Sequence, residues 1–155
     1  MSPGPPENLN SDLTDLLHEF NENRVEYLIV GAHALAAYGH VRATKYLDVW
    51  VRPERENAER VLSALTKFGA PLHGLSRADL VEQGTIFQIG VPPLRIDIIT
   101  SIDDVEFAEA WPDRLETTFG NEPVSVISLH HLIRNKRAAG RLQDLADIEQ
   151  LEAKG

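Results

Sequence analysis

Residues 46–52 alternate strictly: Leu47, Val49 and Val51 fall on one side, Tyr46, Asp48 and Trp50 on the other. A period of two belongs to a β-strand, because successive side chains leave opposite faces of the sheet. One side therefore meets a core, and the other opens on a cleft or on solvent. Residues 94–100 repeat the pattern, with Leu94, Ile96 and Ile98 on one side and Arg95, Asp97 and Ile99 on the other. Pro92-Pro93 separates this run from another β-rich run at 85–91, which predicts an antiparallel pair. Two apolar strands thus carry one carboxylate each, Asp48 and Asp97. An unpaired buried carboxylate costs several kcal/mol or is driven towards its neutral form. If the strands are neighbours, both carboxylates can converge on a hard cation such as Mg²⁺, which takes oxygen ligands. Otherwise they lie on a solvated sheet face beside Arg95 or Lys45.

The other segments supply further strands and helices to flank such a sheet. Asn10, Ser11 and Asp12 offer helix caps, and Leu13, Leu16, Leu17 and Phe20 follow at helical spacing. Residues 1–8, rich in Pro and Gly, read as a loose tail. A β-rich run at 25–30 ends at Gly31, a short helix over 32–38 stops at Gly39, and an amphipathic helix over 54–68 stops at Gly69. Late strands are predicted at 115–119 and 124–127, then a helix from Ser128 and a last one over 144–153. Helices and strands in this order predict an α/β (α+β) fold, a mixed sheet flanked by helices. Residues 9–155 make one domain ending in a helical pair. At 155 residues and 43% hydrophobic content, the chain can bury one substantial core.

Composition removes several classes of chemistry. With no cysteine, there is no disulfide scaffold, thiolate nucleophile, Cys-ligated zinc or iron–sulfur cluster. The apolar runs are too short to span a bilayer, and the start lacks the basic and apolar segments of a signal peptide. A cytoplasmic location is expected. A formal net charge of −9 disfavours broad binding to a phosphate backbone. A local patch of Arg42, Lys45, Lys136 and Arg141 could still meet phosphate oxygens. Gly31, between strand and helix, lets backbone approach a ligand closely. The histidines show no metal-ligand spacing, and the adjacent His130 and His131 do not share a helix face.

Three blocks, in order, resemble the nucleotidyltransferase superfamily of the polymerase-β type. The first is Tyr-Leu-Ile-Val-Gly-Ala-His-Ala-Leu-Ala at 27–36, similar to its strand–glycine–helix element. The second is Arg-Ala-Thr-Lys-Tyr-Leu-Asp-Val-Trp-Val at 42–51, similar to its metal-binding strand. The third runs from Ile127 through Lys136, Gly140 and Arg141 to Asp144 and Asp147, similar to the C-terminal helices of one branch. That branch comprises small stand-alone minimal nucleotidyltransferases and abortive-infection toxins.

The resemblance implies Mg²⁺-dependent transfer of a nucleotidyl group from a nucleoside triphosphate to a hydroxyl acceptor. Asp48 and Asp97 would be the catalytic and metal-holding residues, with Asp97 aiding deprotonation of the acceptor. Gly31, Ala32, His33, Arg42, Thr44 and Lys136 would bind nucleotide, and Asp144 would orient Lys136 or lie near the acceptor site. The acceptor could be RNA, protein or a small molecule; a homo-oligomer or an antitoxin partner is open, a membrane is not expected. The chain departs from the family at the first acidic position, which falls on Tyr46. A phenol with a pKa of about 10 is neutral at pH 7 and a poor Mg²⁺ ligand. Activity is therefore expected to be reduced, or lost in favour of a catalytically inactive nucleotide- or partner-binding role or a toxin–antitoxin role.

Overall fold

A computed structural model describes residues 4–41, 46–91 and 94–154. Six strands form one mixed sheet: β1 (Tyr27–Val30), β2 (Tyr46–Val51), β3 (Ile86–Val91), β4 (Leu94–Ile99), β5 (Leu115–Phe119) and β6 (Glu122–Val126). Their order is β3-β4-β2-β1-β6-β5. β1 runs antiparallel to β2, and β3–β4 and β5–β6 are antiparallel pairs. β2–β4 and β1–β6 are parallel. Parallel neighbours need a long crossover. Between β2 and β4 it contains α3 (Arg55–Phe68), α4 (Arg77–Val81) and β3. The other helices are α1 (Gly4–Glu22), α2 (Gly31–Ala37), α5 (Phe107–Ala110), α6 (Leu129–Ala139) and α7 (Leu142–Lys154). Among the described residues no helix is long and apolar enough to cross a membrane.

β1 lies inside the sheet and all four of its residues are buried, as its continuous apolar sequence requires. Leu47, Val49 and Val51 of β2 and Ile96 and Ile98 of β4 are fully buried. They belong to one core with Leu16, Leu17 and Phe20 of α1 and Val61 and Leu65 of α3. Asn57, also buried, joins the ends of β1 and β2. It accepts a hydrogen bond from the Glu26 backbone N–H and donates to the carbonyls of Glu26 and Arg52.

The other side of β2 is not open along its length. Trp50 is buried, edge-on to Phe107 of α5 at 5.1 Å. Phe107 in turn stacks on Trp111, and the Arg52 guanidinium lies over both rings. Only the Tyr46 end stays accessible, with Tyr46 itself 47% exposed. α5 has four residues, too few to show a helical period in sequence. At the other end of the chain, α1 starts at Gly4, ahead of the Asn10, Ser11 and Asp12 caps expected from sequence. Pro5 and Pro6 suit a first helical turn, where backbone N–H groups lack intrahelical partners.

Candidate active-site cleft

The parallel pairing of β2 and β4 sets Asp48 directly opposite Asp97. Residues in register on neighbouring strands point to the same face, so the two carboxylates lie side by side. On the other flank of β2, Asp48 faces Val30, the last residue of β1. The next residue is Gly31, which turns the chain into α2 with φ +71°. A Cβ at Gly31 would collide with the Asp48 carboxylate. Glycine is thus required twice here, by the left-handed backbone and by the close approach of Asp48.

These residues line a cleft of about 500 Å³. One wall is the rim of residues 84–86. Thr100 holds it by accepting from the Thr85 N–H and donating to the Glu82 carbonyl, and Ser101 accepts from the Gly84 N–H. Asp103 also lines the cleft. Its loop is tied to α6, where Asn135 donates to the Asp103 carbonyl and Arg134 to the Asp104 carbonyl. The far wall is the junction of α6 and α7, with Lys136, Ala139, Arg141 and Asp144.

Burial raises the Asp48 carboxyl above its ordinary value, and the neighbouring Asp97 raises it further. Arg95, Arg141 and Lys136 pull the other way. The side chain of Asp97 is 13% exposed, and Arg95 pairs with it, Nε to Oδ1 at 3.2 Å and Nη2 to Oδ2 at 3.4 Å. The first approach is an ion pair without hydrogen-bond alignment. Asp97 Oδ1 is buried and lacks a hydrogen-bond partner among the described residues. Two adjacent carboxylates, one with an unsatisfied buried oxygen, form an all-oxygen donor set that suits a hard cation such as Mg²⁺.

Lys136 is buried, its ammonium held by Asp144 at 3.2 Å and Asp147 at 3.1 Å. It lines the cleft, but its charge is committed to joining α6 to α7. Asp147 also meets His40 and accepts from Gln143. Burial pushes the Asp144 carboxyl up, but hydrogen bonds from Arg141 and Lys136 outweigh this and hold it below its ordinary value. Arg141 Nε donates to Asp144 at 2.6 Å while the side chain stays 77% exposed. Arg141 is thus the accessible cation of this wall.

Other expected residues fall elsewhere. His33 is not in the cleft: it packs against Phe119, 5.6 Å between ring centroids, in a separate pocket with Ile29 and Val126. Its position two residues after Gly31 turns it away along α2. Ala32 adjoins Gly31 but does not line the cleft. Arg42, Thr44 and Lys45 lie outside the described residues. The rim residues Thr85 and Ser101 carried no signal in sequence, because neither breaks a local pattern before the sheet brings it to the cleft.

The histidine pair also departs from expectation. His130 and His131 sit in the first turn of α6 with ring centroids 3.9 Å apart. With Asp113 they bring potential ligand atoms within 4.8 Å of one another. His131 is buried and its Nδ1 is 2.8 Å from Ser128 Oγ. The nearby Glu109 is engaged by Arg134 through two hydrogen bonds. Nitrogen and oxygen donors of this kind could hold a metal ion such as zinc.

No family model matches the chain, and no curated protein matches it in sequence. Solved structures do. A provisionally assigned nucleotidyltransferase from Thermotoga maritima superposes with a TM-score of 0.62 at 13% identity, over 97% of this chain and 96% of that one. The lincosamide antibiotic adenylyltransferase LnuA, in its lincomycin-bound form, gives 0.60 at 13% identity, covering 94% and 97%. The antibiotic-resistance factor ANT(2'')-Ia gives 0.64 at 15% identity, covering 94% and 84%. At such identities the likeness is one of fold. The chain has the nucleotidyltransferase fold.

Proposed function

We propose that the cleft binds a nucleoside triphosphate together with Mg²⁺ and transfers the nucleotidyl group to a hydroxyl acceptor, at a rate lowered by Tyr46. The observation that carries this reading is the register pairing of Asp48 with Asp97 beside Gly31, in a chain with the nucleotidyltransferase fold. In the reaction an acceptor oxygen forms a bond to the α-phosphorus, and the bond to pyrophosphate breaks. Asp48 and Asp97 would hold the Mg²⁺ ion. When bound, such an ion acts as a Lewis acid on phosphoryl oxygens and neutralises developing charge. Asp97 takes the acceptor's proton. The Gly31 turn leaves room for phosphate beside Asp48, and exposed Arg141 meets phosphate oxygens at the mouth. Lys136, tied to Asp144 and Asp147, positions this wall. A cytoplasmic location goes with this reading.

Tyr46 supports a second reading, in which the protein binds nucleotide or a partner without turnover, as a regulatory or toxin–antitoxin component. Its ring lies under the Arg95 guanidinium, 4.5 Å from Cζ to centroid, at the position where the family resemblance implies a carboxylate. The deciding experiment measures Mg²⁺-dependent pyrophosphate release from each of the four ribonucleoside triphosphates. Acceptors are RNA, protein and small hydroxyl compounds, lincomycin among them. Turnover by the wild type that disappears in Asp97→Ala supports the enzyme. Turnover only in Tyr46→Asp supports the silent binding protein. Absence of both turnover and nucleotide binding sinks both readings.

A further inference from the structure

We infer that the Arg95 guanidinium stands in for a second divalent cation and limits the Asp48–Asp97 pair to one bound ion. This rests on the proposed cation-binding role of the cleft. Arg95 is the direct register partner of Tyr46, as Asp97 is of Asp48. Its guanidinium lies over the Tyr46 ring at 4.5 Å and reaches Asp97 at 3.2 and 3.4 Å. The ring holds the cation by its negative face, and the carboxylate holds it by charge. The group is thus pinned from two directions, although its side chain is 42% exposed.

The charge count then restricts what the cleft accepts. Asp48 and Asp97 contribute two negative charges when ionised, and Arg95 returns one. Among the described residues, Lys136 and Arg141 have their own carboxylates in Asp144 and Asp147. Asp103, which also lines the cleft, adds one more negative charge, and one divalent ion neutralises the remainder. Two-metal phosphoryl-transfer sites set their ions about 3.5–4 Å apart, bridged by shared carboxylates. Here a permanent cation already lies 3.2 and 3.4 Å from the two Asp97 oxygens, and the residue beside it offers a phenol in place of a carboxylate. A second ion would meet repulsion and lack a ligand. A guanidinium cannot be deprotonated at any working pH, so the limit is built in.

The test is a Mn²⁺ titration of the full chain, with free ion read by electron paramagnetic resonance and only ions lost in Asp48→Asn counted, so that an ion on Asp113, His130 and His131 stays out of the count. The wild type binds one Mn²⁺ per chain, and Asp48→Asn abolishes that binding. Arg95→Gln tightens Mn²⁺ by about tenfold, since a like charge a few ångströms away is removed. The double variant Arg95→Gln, Tyr46→Asp binds two ions, while Tyr46→Asp alone still binds one, because Arg95 then pairs with the new carboxylate. Arg95→Lys keeps the charge and the limit of one. Two ions on the wild type, or an unchanged affinity in Arg95→Gln, overturns the inference while leaving the proposed function standing. No ion on the wild type overturns both.

Discussion

Asp48 illustrates how one side chain trades stability for binding. Its carboxyl is raised by burial and by Asp97, so ionising it is less favourable in the folded chain than in the unfolded one. The favourable contribution is full below the unfolded value and is lost as pH rises through the raised folded value. At neutral pH, Asp48→Asn should therefore raise the unfolding free energy by about 1 kcal/mol, a common gain when a functional strain is relieved. A urea melt checks this, and the gain should shrink as pH falls through the raised folded value and vanish below the ordinary value of 3.8. The same variant should lose divalent-cation binding. Gly31→Ala should do harm of a different kind. Positive φ and the collision with Asp48 together should cost about 1–3 kcal/mol and weaken nucleotide binding, read by thermal melt and by a fluorescent nucleotide. Asp48, Asp97 and Gly31 were all legible in sequence, because each breaks a local pattern. Arg95 was legible only as one of two cations that could pair with those carboxylates. Its stacking on Tyr46 depends on a register that no local pattern encodes.

At the scale of elements, the buried ion network between α6 and α7 governs how one wall of the cleft is held. Lys136→Met would leave Asp144 and Asp147 buried without their shared cation. Breaking a buried pair in this way costs about 3–5 kcal/mol, and α7 should become the first segment to exchange its amide hydrogens. Asp144 also sets an acid limit. Its carboxyl lies below the ordinary value of 3.8, so its contribution is full above that value. It is lost as pH falls through the lower folded value. Asp144→Asn should therefore flatten the acid side of the stability profile, with little further effect of pH above about 4. The two helices were predictable from Ser128, Gly140 and their apolar spacing. The commitment of Lys136 was not, because helix periodicity says which face is buried but not which carboxylate meets an ammonium there. α5 escaped notice for the opposite reason: four residues carry too little period to register, yet Phe107 closes the sheet face over Trp50.

For the whole molecule, net charge and local charge point in different directions. The total of −9 predicts weak RNA binding with little dependence on salt, measurable by filter binding across a salt series. Arg141 nonetheless lines the cleft and Arg95 pairs with its Asp97, and Mg²⁺ with a non-hydrolysable triphosphate should stabilise the fold. At about one hundred times Kd the gain is about 2.7 kcal/mol, seen as a higher Tm, and Asp97→Ala should abolish it. The sequence by itself determined the alternating strands, the class of fold and the absence of thiol chemistry; the acidic residue absent at Tyr46 is only what the family resemblance implies. The first three follow from composition and from periods of two and 3.6, which are properties of neighbouring residues. Tertiary structure alone decided that Asp48 and Asp97 stand in register, that Asp103 reaches the cleft while His33 does not, and that Arg95 lies between Tyr46 and Asp97. Those facts join positions about fifty residues apart, and only the parallel pairing across a long crossover brings them within ångströms.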